Sequence, residues 1–133
     1  MKRIFIAVFL IFLSVFIGCY SLNKTETVCN KMIFEIEHAT KENIDVIENS
    51  SHQKRINFYK TTTELQVLWE KNSDFFYFFF NNDDIKTIET NIEKLPEHAK
   101  NGDLESAYLC LVECLEEFIY LKSNTKLTFS NIF

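Results

Sequence analysis

Residues 81 to 102 read NNDDIKTIETNIEKLPEHAKNG, and this stretch decides the fold class. Its apolar side chains recur every three or four positions, the spacing of one face of an α-helix: Ile85, Ile88, Ile92, Leu95 and Ala99. Asparagine and aspartate precede the pattern as helix-capping residues, and Asn101-Gly102 follows it as a C-terminal cap. The stretch therefore predicts an amphipathic helix that buries one face. Because Pro96 lies inside the pattern, we expect this helix to bend or end near Leu95.

Three more segments with the same apolar spacing flank this helix. They cover residues 21–49, residues 50–80 and a last segment that opens at Asp103. Ser50 and Gln53 have the spacing of a capping box at the start of the second one. Amphipathic helices joined by short breaks pack most simply as antiparallel neighbours, so we predict an all-α fold, an up-and-down antiparallel helical bundle of about four helices. The alternative is a superhelical pair of the tetratricopeptide kind, although no second copy occurs at a fixed period.

The composition indicates one globular domain without nucleic-acid binding. The chain has 133 residues, of which 47% are apolar and 25% charged, and its two glycines and one proline are too few for a strand-rich fold. Beyond Arg3 it carries 12 basic and 19 acidic residues, a net charge of −7. A surface of this sign repels phosphate backbones and anionic lipid headgroups. We therefore expect no nucleic-acid partner and no attachment to a membrane by charge.

Residues 1–20 have the pattern of a signal peptide or a signal anchor. Lys2 and Arg3 precede an apolar run from Ile4 to Gly18 in which Ser14 carries the one polar side chain. A spanning helix needs about 20 apolar residues, so the length of this run leaves a cleaved leader and an uncleaved anchor both open.

The end of the apolar run resembles the lipobox of bacterial lipoproteins. Phe16-Ile17-Gly18-Cys19 places a small residue before a cysteine, which in such proteins is lipidated, although Phe16 stands where leucine, valine or isoleucine is usual. Cys19 is therefore a candidate lipidation site. Both outcomes tether the chain to the cell membrane, and we predict that residues 21–133 form an extracytoplasmic domain.

From the leader to the C-terminus, the chain resembles the family known as domain of unknown function 4363, short exported proteins of Firmicutes type. The resemblance rests on the helix that carries Trp69, the junction from Phe78 to Ile85 and the terminal run from Leu127 to Phe133. It implies a membrane-tethered helical protein and supplies no known activity. The family often has a histidine just before the acidic pair, where this chain has Asn82, and this difference argues against histidine chemistry there.

The cysteines are the first candidates for a site. Cys110 and Cys114 lie four positions apart on one helical face, a spacing that can supply two metal ligands. The further ligands would have to come from Cys29 or from histidines on other segments, so we predict no metal site and no cofactor. In an extracytoplasmic setting, a disulfide from Cys29 to Cys110 or Cys114 stays open.

Acidic residues on the last helix are the second candidates. A solvated helix face explains them better than paired catalytic carboxylates, because no apolar surroundings would separate their pKa values: Asp103, Glu105, Glu113, Glu116 and Glu117. The sequence contains no catalytic triad order, phosphate loop or glycine-rich fingerprint. We therefore expect a protein that is not an enzyme.

A run of six aromatic residues is the candidate interaction patch: Phe75, Phe76, Tyr77, Phe78, Phe79 and Phe80. Because the run covers about one and a half helical turns, its members cannot all face one core. They either form a docking or membrane-contact surface or are covered by core packing and the C-terminal tail. Trp69, on the same helix, is predicted to be its main buried anchor.

These observations favour a non-catalytic interaction or envelope-structural module. Its partners would be the membrane, through the N-terminal segment, and an envelope protein. The alternative is a binder of a small apolar ligand held between the helices.

Overall fold

Over residues 2–130, the computed structural model of the chain consists of four α-helices, and the side chains of residues 3–125 are described. The helices are α1 (Lys2–Glu48), α2 (His52–Phe79), α3 (Asn82–Asn101) and α4 (Leu104–Ser130). α1 packs against α2 and α4, and α3 packs against the same two helices. This closed ring of antiparallel neighbours is an up-and-down four-helix bundle. The predicted all-α fold class is confirmed, and these four helices do not form the superhelical alternative.

Large apolar side chains fill the interior of the bundle. All five apolar residues of the α3 pattern are buried, as predicted. Trp69 is only 2% exposed, and its ring stacks on Phe76 at a centroid distance of 5.6 Å and meets Phe118 edge-on at 6.0 Å. The prediction that Trp69 anchors α2 in the core is confirmed.

The apolar spacing of residues 21–49 predicts a buried face that includes Ile44 and Ile47, but the structure differs near the end of α1. Ile44 and Ile47 are 40% and 52% exposed, whereas Asn43 and Val46 are buried. Asn43 occupies a core position because its Nδ2 donates a hydrogen bond to the carbonyl of Leu104, 3.1 Å away on α4. Hydrophobic spacing alone could not identify this polar contact between helices.

The starts of α2 and α4 depend on capping side chains. Ser51, not Ser50, caps α2, and its side chain accepts a hydrogen bond from the backbone N–H of Lys54. The predicted capping box at Ser50 was therefore one residue too early. At the start of α4, Asp103 accepts from the backbone N–H of Ser106 at 3.2 Å, as its predicted role requires.

α3 does not end at Leu95. It continues through Pro96 to Asn101, so of the two predicted outcomes the helix end was wrong, and a bend near Leu95 stays a prediction. Proline at this position removes a single backbone donor near the end of the helix. The remaining turn is held by the buried side chain of Ala99 and by Gly102, whose N–H bonds to the carbonyl of Ala99.

We expect Gly102→Ala to lower the free energy of unfolding by about 1 kcal/mol. Gly102 has a φ of 74°, in the left-handed region that disfavours residues with a Cβ. An added Cβ would meet no close atom, since Arg55 Nη1 lies 3.9 Å away, so backbone conformation alone causes the loss. Urea melts of residues 21–133 measure it, and Gly102→Asn, which tolerates this region better, is the control. Equal melts for the alanine variant and the parent would contradict this account.

The antiparallel packing gives the bundle two different ends. The proximal end contains the entry of α1 into the bundle, the end of α2, the start of α3 and the end of α4. Lys24 and Phe75 mark this end, since the Lys24 ammonium lies 4.6 Å from the centroid of the Phe75 ring. The distal end contains the connections at residues 49–51 and 102–103.

Candidate functional site

α1 joins an apolar, exposed half to a half that is part of the bundle. Every side chain from Arg3 to Ile17 is exposed, and the first buried residue is Ser21. In the part of the chain that the structure describes, α1 is the one helix that is long and apolar enough to cross a membrane. The predicted N-terminal segment and the first body helix are thus one continuous helix of 47 residues, about 70 Å long.

Cys19 lies at the junction of these two halves. Its thiol is exposed, two residues before the first buried side chain of the bundle. A lipid attached at this position would hold the proximal end directly against a bilayer. Lipidation of Cys19 stays a prediction.

The six aromatic residues at the end of α2 divide among different directions. Phe76 is fully buried, and Phe75, Tyr77 and Phe80 are partly buried against the core. Phe78 is 80% exposed and Phe79 is 39% exposed. The helical period explains this division: Phe76 follows Trp69 by two full turns and shares its face, whereas Phe78 lies two residues further on, on the opposite face.

Neighbouring groups hold the partly buried members of the run. The Tyr77 hydroxyl donates a hydrogen bond to Glu89 on α3, and this bond is the main reason why the pKa of Tyr77 is raised to about 12. Phe75 lies under the Lys24 ammonium of α1. Phe79 contacts the Phe75 and Phe78 rings at centroid distances of 4.8 and 4.9 Å. The exposed pair Phe78 and Phe79 therefore lies at the proximal end, next to the partly buried Phe75 ring.

The predicted C-terminal cover lies partly outside the described residues. Residues 127–130 continue α4 as helix, and their side chains are not described. Asn131 to Phe133 lie outside the described part of the chain, so the predicted docking of the tail stays a prediction.

A family model for a domain of unknown function (DUF4363) matches residues 19–132 of the chain. The chain belongs to this family. The match begins at Cys19 and covers all four helices of the bundle, so the resemblance predicted from the sequence is confirmed. Comparison of the DUF4363 chain with curated proteins and with solved structures gives no significant match.

The three buried cysteines of the DUF4363 chain occupy core positions as free thiols. Cys114 donates a weak hydrogen bond to the carbonyl of Ile88 on α3, with a distance of 3.8 Å from sulfur to oxygen. Cys29 lies near Lys122, eight residues beyond Cys114 along α4. The disulfide that the sequence left open is not formed.

Thiol labelling should distinguish Cys19 from the other cysteines. Burial raises the pKa of Cys29 to about 12 and also raises the pKa of Cys110 and Cys114, so little reactive thiolate forms at mildly alkaline pH. We expect a maleimide to label Cys19 alone in the folded full-length protein, and all four after denaturation. A lipidated Cys19 would leave no labelled thiol in the folded protein. Rapid labelling of Cys29 or Cys114 in the folded protein would contradict the buried placement.

The acidic residues of α4 have less uniform surroundings than predicted. Glu117 is half-buried, and desolvation, followed by repulsion from Asp84 and Glu116, raises its pKa. The expectation that no surroundings would separate these carboxyl groups was therefore wrong for Glu117. Glu113 accepts a hydrogen bond from Asn91 at 2.8 Å, and Glu105 and Glu116 are exposed. These contacts assign no chemical role to the acidic residues.

The histidines are distributed over different surfaces. His38 and His52 are exposed, and His98 pairs through Nδ1 with Asp103 at 3.3 Å. Within the described residues, no group of three or more His, Cys, Asp or Glu side chains is placed to hold a metal ion.

Open grooves follow three outer seams of the bundle. The α1–α2 groove has a volume of about 360 Å³ and passes Leu68, the α2–α3 groove about 330 Å³ near Tyr59, and the α3–α4 groove about 470 Å³ near Thr90. All three are open to solvent, whereas side chains fill the space between the helices.

Proposed function

We propose that this DUF4363 chain is a non-catalytic module, tethered to the cell membrane, whose helical bundle binds envelope proteins on the extracytoplasmic side. The observation that carries the proposal is the continuity of α1. The same helix is exposed and apolar from Ile4 to Ile17 and is built into the bundle core from Ser21 onward. An exposed apolar helix of this kind is unfavourable in water and favourable in a bilayer.

The sequence at the start of the chain supports the extracytoplasmic orientation. Lys2 and Arg3 followed at once by an apolar run have the form of an export signal. The charge of −7 beyond Arg3 gives no electrostatic attraction to anionic lipid, so attachment of the body depends on its apolar N-terminal tether.

The interaction role is supported by the exposed apolar side chains of the bundle. Phe34 on α1 and Leu109 on α4 are 66% and 59% exposed, far from the apolar half of α1. The alternative role, binding an apolar ligand between the helices, needs space that core side chains occupy in this structure.

Site-directed photo-crosslinking in cells tests the interaction role. A photoreactive phenylalanine analogue at Phe34 or Leu109 is expected to give a discrete adduct with an envelope protein. The same analogue at Glu70, an exposed polar position on α2, is the matched control. Failure to recover an envelope protein from both apolar positions would overturn the interaction role, and membrane attachment is measured separately by fractionation.

A further inference from the structure

We propose that Phe78 and Phe79 are a second membrane contact, which inserts into the lipid interface and seats the proximal end of the bundle on the bilayer. The proposal rests on the membrane tether of the proposed function. Both exposed side chains of the aromatic run would contact the interfacial layer of the bilayer in which the N-terminus is anchored.

The length of the apolar half of α1 places the bilayer surface close to the bundle. The fourteen residues from Ile4 to Ile17 span about 21 Å, whereas the hydrocarbon core of a bilayer is about 30 Å thick. The apolar half of α1 is therefore shorter than the hydrocarbon core is thick, so the edge of that core lies at or just beyond its end, next to the start of the bundle. A helix this short draws its flanking structure toward the interface.

Phe78 and Phe79 lie at the same height as this part of α1. α2 runs antiparallel to α1, and the Lys24 ammonium lies 4.6 Å from the Phe75 ring centroid, so Lys24 and Phe75 are within about one helical turn of the same level. Phe79 follows Phe75 by four residues, so it lies about 6 Å nearer the membrane segment, in the region of Tyr20. Tyr20 is itself 58% exposed, and aromatic rings are enriched at this depth in membrane proteins.

The Phe78 and Phe79 rings are exposed to solvent and are supported by a packed ring beneath them. Phe78 is on the face of α2 opposite the core, with 80% of its surface exposed, and Phe79 connects it to the packed Phe75 ring. The packed ring gives the exposed pair a rigid support, and insertion would remove both rings from water. Asp83 and Asp84 at the start of α3 disfavour an anionic surface, so the contact is with the apolar part of the interface.

The contact is compatible with both modes of attachment. If the leader is retained, the apolar half of α1 holds the proximal end at the interface. If the leader is cleaved and Cys19 carries lipid, the attachment point lies next to Tyr20, in the region of Phe79.

A tryptophan reporter at Phe78 tests the contact. The full-length chain carries Trp69→Phe and Phe78→Trp and is reconstituted into phosphatidylcholine vesicles with bromines at a shallow acyl position. Bromine quenches indole fluorescence on contact. We expect the emission to move to shorter wavelength and to fall at least about twofold relative to unbrominated vesicles, as for a ring buried at the interface.

The matched control is Val67→Trp in the same Trp69→Phe background. Val67 is on α2 and 44% exposed, but it lies eleven residues, or about 16 Å, further from the membrane segment. Its emission should respond to aqueous iodide and not to bromolipid. In the unsubstituted chain, amide hydrogen exchange at residues 78–82 should be about tenfold or more slower with vesicles than without them. Exchange at residues 49–52 should be the same in both states.

Flotation of the vesicles separates the two proposals. A chain that floats, with a Phe78→Trp reporter that responds to iodide and not to bromolipid, overturns the second contact while the tether holds. A chain that does not float overturns the tether, and the second contact with it. If Phe78→Trp fails to fold, unchanged hydrogen exchange at residues 78–82 in the floating parent chain overturns the contact.

Discussion

Trp69→Ala should remove most of the stability of the bundle. Trp69 is only 2% exposed and contacts the rings of Phe76 and Phe118 at the centre of the core. Truncation of a buried tryptophan costs about 3–5 kcal/mol, against a total stability of about 5–15 kcal/mol for a domain of this size. We therefore expect the thermal midpoint of residues 21–133 to fall sharply, as measured by circular dichroism.

Two control variants test whether the loss of stability comes from the buried ring of Trp69. Trp69→Phe keeps an aromatic ring in the core, and the indole N–H of Trp69 donates to no group that the structure describes, so this variant should lose clearly less. Val67→Ala, at a position that is 44% exposed on the same helix, should change stability by no more than about 0.5 kcal/mol. If Trp69→Ala melts like the parent, the assignment of Trp69 to the core is wrong.

Deletion of residues 2–18 should move the protein completely from the membrane fraction to the soluble fraction and leave its fold intact. These residues lie outside the bundle, and every side chain from Arg3 to Ile17 is exposed. Loss of a spanning segment removes far more membrane affinity than two interfacial rings can supply. The free energy of unfolding of the bundle should change by about 0.5 kcal/mol or less, as for a surface substitution.

Cys19→Ser then separates the two modes of attachment. If Cys19 carries lipid, the variant should lose acyl labelling and accumulate as uncleaved precursor. If α1 spans the membrane uncleaved, the mobility of the protein in a gel should not change. A deletion variant that stays in the membrane pellet would contradict both modes, because it lacks both the span and a leader that could direct lipidation.

The helical fold could be predicted from the sequence because the apolar pattern of α3 is regular and its ends carry strong caps. The five pattern residues are buried as expected, and Gly102 adopts the left-handed conformation that a C-terminal cap requires. The sequence also indicated that Trp69 is buried. These features depend on residues that are close together in the sequence, so the sequence alone is sufficient to predict them.

Other features depend on contacts between helices. Asn43 is buried through a hydrogen bond to Leu104, and part of the raised pKa of Glu117 comes from repulsion by Asp84 at the start of α3. A pattern on one helix cannot show a partner on another. The sequence could not distinguish Ser51, the observed cap, from Ser50, the predicted one, because two adjacent serines are equally suitable as helix caps.

The division of the aromatic run lies between these two cases. Counting the helical period from Trp69 places Phe76 in the core and Phe78 on the opposite face, so the exposed residue could have been found from the sequence. The position of this run beside the start of the bundled part of α1 could not be predicted, because it follows from the antiparallel packing of α2 against α1.

Protease added to intact cells without a cell wall tests the central claim most directly, namely that the bundle is membrane-tethered and extracytoplasmic. An antibody against residues 21–133 should find the body in the membrane pellet before treatment. After treatment without detergent, the body should be digested while a cytoplasmic marker protein stays intact. A body recovered intact in the cytosol after the same treatment would contradict the account.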